Sequence, residues 1–300
     1  MPGTDLDRAL RLFAVPPDDV APLLAAHEAV GADPGLAAWV IATGDLLRAA
    51  MDTPSPGPRL PGRPAGAPDV TAYLPVLVGV DVLPDLLVNH AGREVPADVT
   101  AATLADVGRI LGRGRHWFGE AGVGDELAGW LTRHLYGALF QVGRLQYERV
   151  RLGEGDGLEL QMAGFLCAPG DLTLNLHIPA EGGSLTPDVV DASLAAAKAF
   201  FRKRFPDERY AVVTCHSWLL DPQLPGLLPA GANLAAFQRR FTVAGASDHD
   251  GDTSVRKFVF GDLDTPLANL PQDTSLRRAV VALLEGGGHW HDHSGWLAWR

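Results

Sequence analysis

The sequence predicts an α/β protein of the α+β kind, a mostly helical N-terminal domain over residues 1–137 followed by a mixed β-sheet domain over residues 138–300. Three observations lead there. Apolar residues recur at helical spacing through the first part of the chain, the pattern changes to short alternating strands after Phe140, and the stretch from Asp171 to Trp218 reads strand, loop, helix, strand.

Leu6, Leu10 and Phe13, then Leu36, Val40 and Leu47, set the helical start, with Pro16-Pro17 and Gly31 as breaks. Residues 52–69 are rich in proline and glycine and poor in apolar side chains, so a long surface loop without one fixed fold is expected there. Helical spacing resumes over Val70–Leu87, over Val99–Leu111 with Thr100 or Thr103 available as N-cap, and over Asp125–Leu139. GRLQYERVRL and LELQMAGFLC read as the two strands of a hairpin across the turn Gly153–Gly157. In DLTLNLHIP, Leu172, Leu174, Leu176 and Ile178 point to one face and Thr173, Asn175 and His177 to the other. Thr186 and Pro187 then open a helix carrying Val190, Leu194, Ala197 and Phe201 on one stripe, and RYAVVTCHSW supplies the parallel neighbour strand of a βαβ crossover. Asn233 caps a shorter helix, Ser275–Leu284 is a further helix, and Val255–Phe260 and Gly295–Trp299 are read as terminal strands.

The charge balance is 25 − 36 = −11, a surface that repels phosphate backbones and anionic lipid, so neither nucleic acid nor membrane is an expected partner. Arg109, Arg113, Arg115 and His116 form a local basic cluster without interleaved aromatics, and are read as a solvated helix end. The N-terminal MPGTDLDRALRLF has two early acids and no continuous apolar core, and no stretch reads as a bilayer span; with only Cys167 and Cys215, and no CxxC spacing, a cytoplasmic, reducing location is expected. Cys215 reads as a small core filler.

The chemistry-bearing candidates concentrate around the crossover. Glu181, Gly182, Gly183 and Ser184 sit between a strand and a helix N-terminus, where backbone N–H groups can receive an anion. Asn175 and His177 lie on the polar face of the strand leading in, and His216 lies on the next strand with Tyr210, Val212 and Thr214; either imidazole could take a proton from an attacking amine or hydroxyl. Ser217 beside His216 points to the opposite face, and no G-x-S-x-G elbow occurs, which disfavours covalent hydrolase chemistry. Two other clusters stand apart. His289, His291 and His293 alternate as a metal site might require, and a metal-dependent enzyme using them is a separate reading, although no metal is expected. Asp248, Asp250 and Asp252, with His249 and Gly251, look like a calcium loop but lack the Glu at the twelfth position, which is Val259.

GRLQYE, LHIPAEGGSLTPDVVDASLAAAKAFF, CHSWLLDP and ANLAAFQRRF together resemble the GNAT-like C-terminal domain of bacterial acyltransferase-like proteins, and the preceding helical part resembles its N-terminal partner domain. The resemblance implies transfer of an acyl group from a thioester, acyl-CoA or an acyl carrier protein, to a small-molecule or peptide amine by direct attack within a ternary complex. It also implies a donor between splayed strands Leu172–Pro179 and Tyr210–Trp218, contacting Ile178, Gly182, Gly183, Ser184 and Leu185, with a backbone N–H near residues 177–179 polarising the thioester carbonyl. Pro179 cannot donate. His177 or His216 would be the base, with Glu181 as the alternative and Asn175 beside them. The loop departs from the usual family phosphate loop in carrying Glu181, so a noncatalytic ligand- or partner-binding protein on a degenerate GNAT scaffold is the rival reading.

Overall fold

Start signals written into the sequence set the helices of the N-terminal part. Asp33 caps one of them, its Oδ1 accepting from Gly35 N at 2.7 Å and Leu36 N at 3.3 Å, with Pro34 in the first turn where no N–H is needed. A computed structural model describes residues 3–244 and 250–299 and shows two compact units, Met1–Gln141 and Val142–Arg300.

The first unit contains α1 (Gly3–Leu12), α2 (Pro17–Ala32), α3 (Pro34–Ala49), α4 (Pro68–Thr71), α5 (Leu74–Gly92), α6 (Ala97–Leu104), α7 (Asp106–Phe118) and α8 (Asp125–Arg133). Their apolar stripes bury Phe13, Leu23, Leu47, Tyr73, Ile110 and Leu131 in one core. Pro68–Gly92 is, contrary to expectation, long and apolar enough to cross a bilayer by length and composition; its apolar side chains are mostly buried in this core, as for the central helix of a packed bundle. Gly108 permits a close approach in the same core: a β-carbon there would lie 2.1 Å from the Ala14 carbonyl oxygen, and the Gly108 N–H donates to Phe13 O at 2.8 Å.

Two expectations for this unit are corrected. Thr100 and Thr103 lie inside α6, because Pro96 starts that helix earlier; Thr100 Oγ1 meets His90 Nδ1 at 2.9 Å, and Thr103 Oγ1 donates to Val99 O at 2.7 Å. The proline-rich loop 52–69 is pinned rather than fluid. Trp39 Nε1 donates to Gly62 O at 2.9 Å, Ser55 and Tyr136 hydroxyls lie 2.7 Å apart, and Arg63 pairs with Asp125 at 2.8 Å. Proline-fixed backbone has little entropy to lose on ordering, so these anchors suffice. The loop borders a cavity of about 560 Å³.

The second unit is organised by a sheet in the order β1-β2-β3-β4-β6-β5: β1 (Leu139–Val142, the strand at which the chain passes from one unit to the next), β2 (Leu145–Arg151), β3 (Leu172–His177), β4 (Val212–Ser217), β5 (Thr242–Val243) and β6 (His293–Ala298). Its helices are α9 (Glu154–Met162), α10 (Pro187–Arg204), α11 (Leu224–Leu227), α12 (Asn233–Gln238), α13 (Asp252–Val255) and α14 (Ser275–Glu285). β3, α10 and parallel β4 form the expected crossover, and β2 and β6 flank it antiparallel. Asn233 is the first residue of α12 and its cap position is Ala232.

The segment LELQM is helix α9, not a strand, so β2 pairs with β3 instead. Gly153 precedes α9, Glu154 and Asp156 complement its N-terminal dipole, and Gly157 lies flat against Pro169. Leu160 then packs with Leu152, Cys167, Val212 and Trp296, while Leu158 stays outside; the alternation that imitates a strand is this inward–outward pair. Val255–Phe260 is likewise no strand: α13 runs into a π turn, Arg256–Phe260, which brings Val255 and Phe260 both inward and ends at left-handed Gly261.

α10 covers one sheet face, where Tyr147 meets Phe201 edge-on and Arg149 stacks over Phe205 at 4.0 Å while pairing with Glu208. Cys215 faces the same interior. Burial pushes its thiol up to about 12, and burial together with Asp171 also raises Cys167, so native protein titrated with a thiol reagent at pH 8 is expected to show close to zero fast-reacting thiols, against two after denaturation. Rapid reaction of either cysteine in folded protein would contradict this placement.

Candidate active site

β3 and β4 pair at Leu174↔Val213 and Asn175↔Thr214, and among the described residues their ladder stops there, although the strands run on to His177 and Ser217. At the root, Thr173 Oγ1 donates to Val212 O at 2.8 Å and Thr214 Oγ1 to Leu174 O at 3.4 Å. The two strands are therefore paired through the N-terminal part of β4 and the middle of β3, and the ladder does not extend to His177 or Ser217.

The period of two places one polar row on the face opposite α10: Gln146 and Glu148 from β2, Asn175 and His177 from β3, Thr214 and His216 from β4, and Ser294 from β6. Within the row, His177 Nε2 lies 2.7 Å from Glu148 Oε2. Glu148 is 1% exposed, and the register sets it diagonal to His177 and opposite Asn175. The contact ties the imidazole to a buried acid, which fixes the ring in the row. His216 stands on β4, exposed, with Nδ1 3.2 Å from Ser294 Oγ. Ser217 caps the turn that follows β4 by accepting from Leu219 N at 3.1 Å, a structural use of its hydroxyl.

Past His177 the chain runs through half-buried Ile178 and buried Pro179 into the exposed loop Glu181–Ser184, and Leu185 anchors it by burial. Gly182 and Gly183 have φ of 99° and 85°, so the loop turns where side chains are disfavoured and leaves its backbone open to a ligand. Thr186 and Pro187 open α10 as expected, without a side-chain cap bond from Thr186. The Glu181 side chain is exposed. Two arginines from elsewhere in the unit reach this end of the crossover: Arg144 Nε donates to Gly183 O at 3.0 Å, and Arg240 Nη2 donates to Pro187 O at 3.1 Å.

The alternating histidines do not form one ligand set. His289 and His291 precede β6, His289 Nδ1 bonds Asp252 at 2.8 Å, His291 Nδ1 lies 3.8 Å from Asp221, and His293 begins β6 and is 7% exposed. The Asp252 hydrogen bond raises His289 above the ordinary imidazole range. Among the described residues no group of three or more His, Cys, Asp or Glu is arranged to hold a metal ion. Asp248 and His249 lie outside the described residues; Asp250 Oδ1 and Oδ2 accept from Asp252 N and Thr253 Oγ1, contacts that shape the turn.

The family match decides the class. Residues 4–137 match the N-acyltransferase N-terminal domain and residues 139–297 the GNAT-like C-terminal domain. The chain belongs to the GNAT-like acyltransferases. A solved acyltransferase in complex with decanoyl-CoA is 32% identical, with a TM-score of 0.84 over 99% of this chain and 87% of that one. An acyltransferase mutant in complex with octanoyl-CoA is 31% identical, with a TM-score of 0.83 over 100% and 89%. A third structure, an acyltransferase with decanoyl-CoA and teicoplanin, is 32% identical with a TM-score of 0.83 over the same shares. No curated protein matches at a significant level.

This GNAT-like acyltransferase is thus an enzyme by family. Sequence reading missed Glu148 and Arg144. Both stand in the quoted stretch GRLQYE, and an acid alternating with Gln146 on a strand of otherwise apolar and basic residues was the available signal for the first.

Proposed function

We propose that this enzyme transfers an acyl group from acyl-CoA to the amine of a small-molecule or peptide acceptor, with His177 as base. The observation that carries the reading is the stop in the β3–β4 ladder after Asn175 and Thr214, directly before an imidazole held by a buried carboxylate. In this reading the donor lies between the ends of β3 and β4 and Gly182, Gly183, Ser184 and Leu185 border its phosphates, with a backbone N–H near Ile178 polarising the thioester carbonyl. The amine attacks the carbonyl carbon, a C–N bond forms, and the His177 imidazole takes the amine proton as the tetrahedral adduct collapses. The C–S bond breaks and CoA leaves as thiolate, a leaving group with a pKa of about 8.5 that needs no strong acid. His216 and Asn175 line the same row as secondary polar contacts, and exposed Glu181 has no role in proton transfer.

That three similar structures hold acyl-CoA supports CoA as donor, and the complex with teicoplanin, a glycopeptide, supports a small-molecule or peptide acceptor. CoA is the donor form we adopt over an acyl carrier protein. Purified enzyme given decanoyl-CoA and a panel of primary amines is expected to release free thiol only when an amine is accepted. Calorimetry showing no decanoyl-CoA binding to folded protein would sink the proposal and leave the degenerate-scaffold reading.

A further inference from the structure

The residues used above for acyl transfer all belong to the second unit, and the first unit holds a cavity of its own. At about 560 Å³ it has the size of a small-molecule site. One wall is a stripe of α8 and the turn that follows it, Asp125, Ala128, Gly129, Thr132 and Tyr136, spaced as one helix face. The other walls are the loop from Pro56 to Arg63, Trp39 of α3 and Pro75 of α5. The loop is fixed by contacts within the unit. Gly57 lies so flat on the Tyr136 ring that a β-carbon there would stand 2.5 Å from Cζ, and Trp39 Nε1 holds the Gly62 carbonyl at 2.9 Å. Arg63 reaches Asp125 at 2.8 Å and Thr71 O at 3.5 Å. Walls ordered in advance spare a ligand the entropy of ordering them.

The lining has two chemical characters. Pro56, Pro58, Pro61, Pro75 and Trp39 supply flat apolar surfaces on which a planar ring can lie. The charged lining is Arg59, Arg63 and Arg133 against Asp125, a balance of 3 − 1 = +2 in a chain whose overall balance is −11. Asp125 is engaged by Arg63, Arg133 is stacked on Trp130 with its Cζ 5.0 Å from the ring centroid, and Arg59 is an exposed loop residue. An excess of guanidinium beside apolar surface attracts a carboxylate, which matches the planar fork, and repels an ammonium. The charge of this cavity is therefore wrong for the protonated amine of an acceptor and right for an organic acid.

We propose that this cavity of the N-terminal unit is a binding site for a small aryl carboxylate, a function beyond the acyl transfer assigned to the second unit. The probe is 3-phenylpropanoate, titrated against the full chain by ligand-observed NMR. Its Kd is expected below about 1 mM, modest for a ligand of its size. 3-Phenylpropanamide keeps the ring without the charge, acetate keeps the charge without the ring, and each should bind at least about 10-fold more weakly. Gly129→Leu adds a side chain to the lining at a position where a β-carbon meets nothing within 4 Å, and it removes a glycine from inside α8. It should weaken the probe by at least about 10-fold with a Tm no lower than wild type. Arg59→Glu should weaken the acid by about 10-fold and leave the amide within about 2-fold. The proposal is overturned if wild type shows no saturable binding of the probe, or if acid and amide bind equally well. Binding that folded Gly129→Leu leaves unchanged overturns it too, since the probe then sits elsewhere on the chain. Should that variant lose its cooperative melt, unchanged binding by Arg59→Glu has the same force.

Discussion

Replacing His177 with alanine is expected to lower kcat for amine acylation by about 10²- to 10⁴-fold, the usual contribution of a positioned general base, while the Kd for decanoyl-CoA moves by less than about 2-fold. The split between the two constants is what distinguishes a proton acceptor from a wall of the donor site. Glu148→Gln should lower kcat as well, and by less, because it leaves the imidazole in place and removes only the carboxylate that orients it. Its readout beyond rate is a kcat lowered without a matching rise in the Kd for decanoyl-CoA. His216→Ala should cost about 10-fold or less, since its Nδ1 is turned to Ser294. A loss from His216→Ala equal to that from His177→Ala would assign the base to β4 and overturn the reading; so would a His177→Ala variant with normal kcat and weakened donor binding.

What the sequence disclosed follows from the range over which each signal acts. The β3–α10–β4 crossover was legible because its cues are local: strict alternation through Leu172–Ile178, Thr186-Pro187 as a helix start, and the strong run YAVVTCHSW. The segments LELQM and Val255–Phe260 were misread because alternation over five or six residues is satisfied equally by a helix that buries one leucine and by a π turn that buries both ends; contacts with Pro169 and with α14 residues decide, and these are distant in sequence. The same limit applies to the site. His177 could be named from its strand face, but its partner is 29 residues earlier on a strand whose pairing depends on register, and Arg144 reaches the loop from 39 residues away. The histidine run at the C-terminal end shows the converse. Spacing alone suggested a shared ligand, whereas the fold gives His289 and His291 separate acidic partners, Asp252 and Asp221.

The largest stability effect is expected in the N-terminal unit, from Asp106→Ala. Asp106 is fully buried at the first turn of α7, and its two oxygens collect His134 Nε2 at 3.0 Å, Trp130 Nε1 at 3.2 Å, Arg109, and Arg113 at 3.5 Å. Burial alone would raise this carboxyl, but the charges of His134, Arg113 and Arg109 outweigh it and hold the group far below the usual carboxylate range. This accounts for the basic cluster seen in the sequence: Arg109 and Arg113 are turned onto a buried acid, and Arg115 pairs with fully buried Asp19. Removing the carboxylate strands His134 between the Trp130 carbonyl, which accepts from its Nδ1 at 3.1 Å, and an empty site facing Nε2. The expected cost is about 3 kcal/mol, the low end for a broken buried pair because Arg109 and Arg113 keep some water, and roughly 10 °C in Tm. A carboxylate with a depressed folded pKa stabilises fully above its unfolded value of about 3.9 and loses the effect only as pH falls below that toward the folded value. The Tm gap between wild type and Asp106→Ala should therefore persist from pH 7 to pH 5 and narrow only in stronger acid. A gap under about 3 °C at pH 7, or one that already closes by pH 5, would show that this network does not hold the unit together.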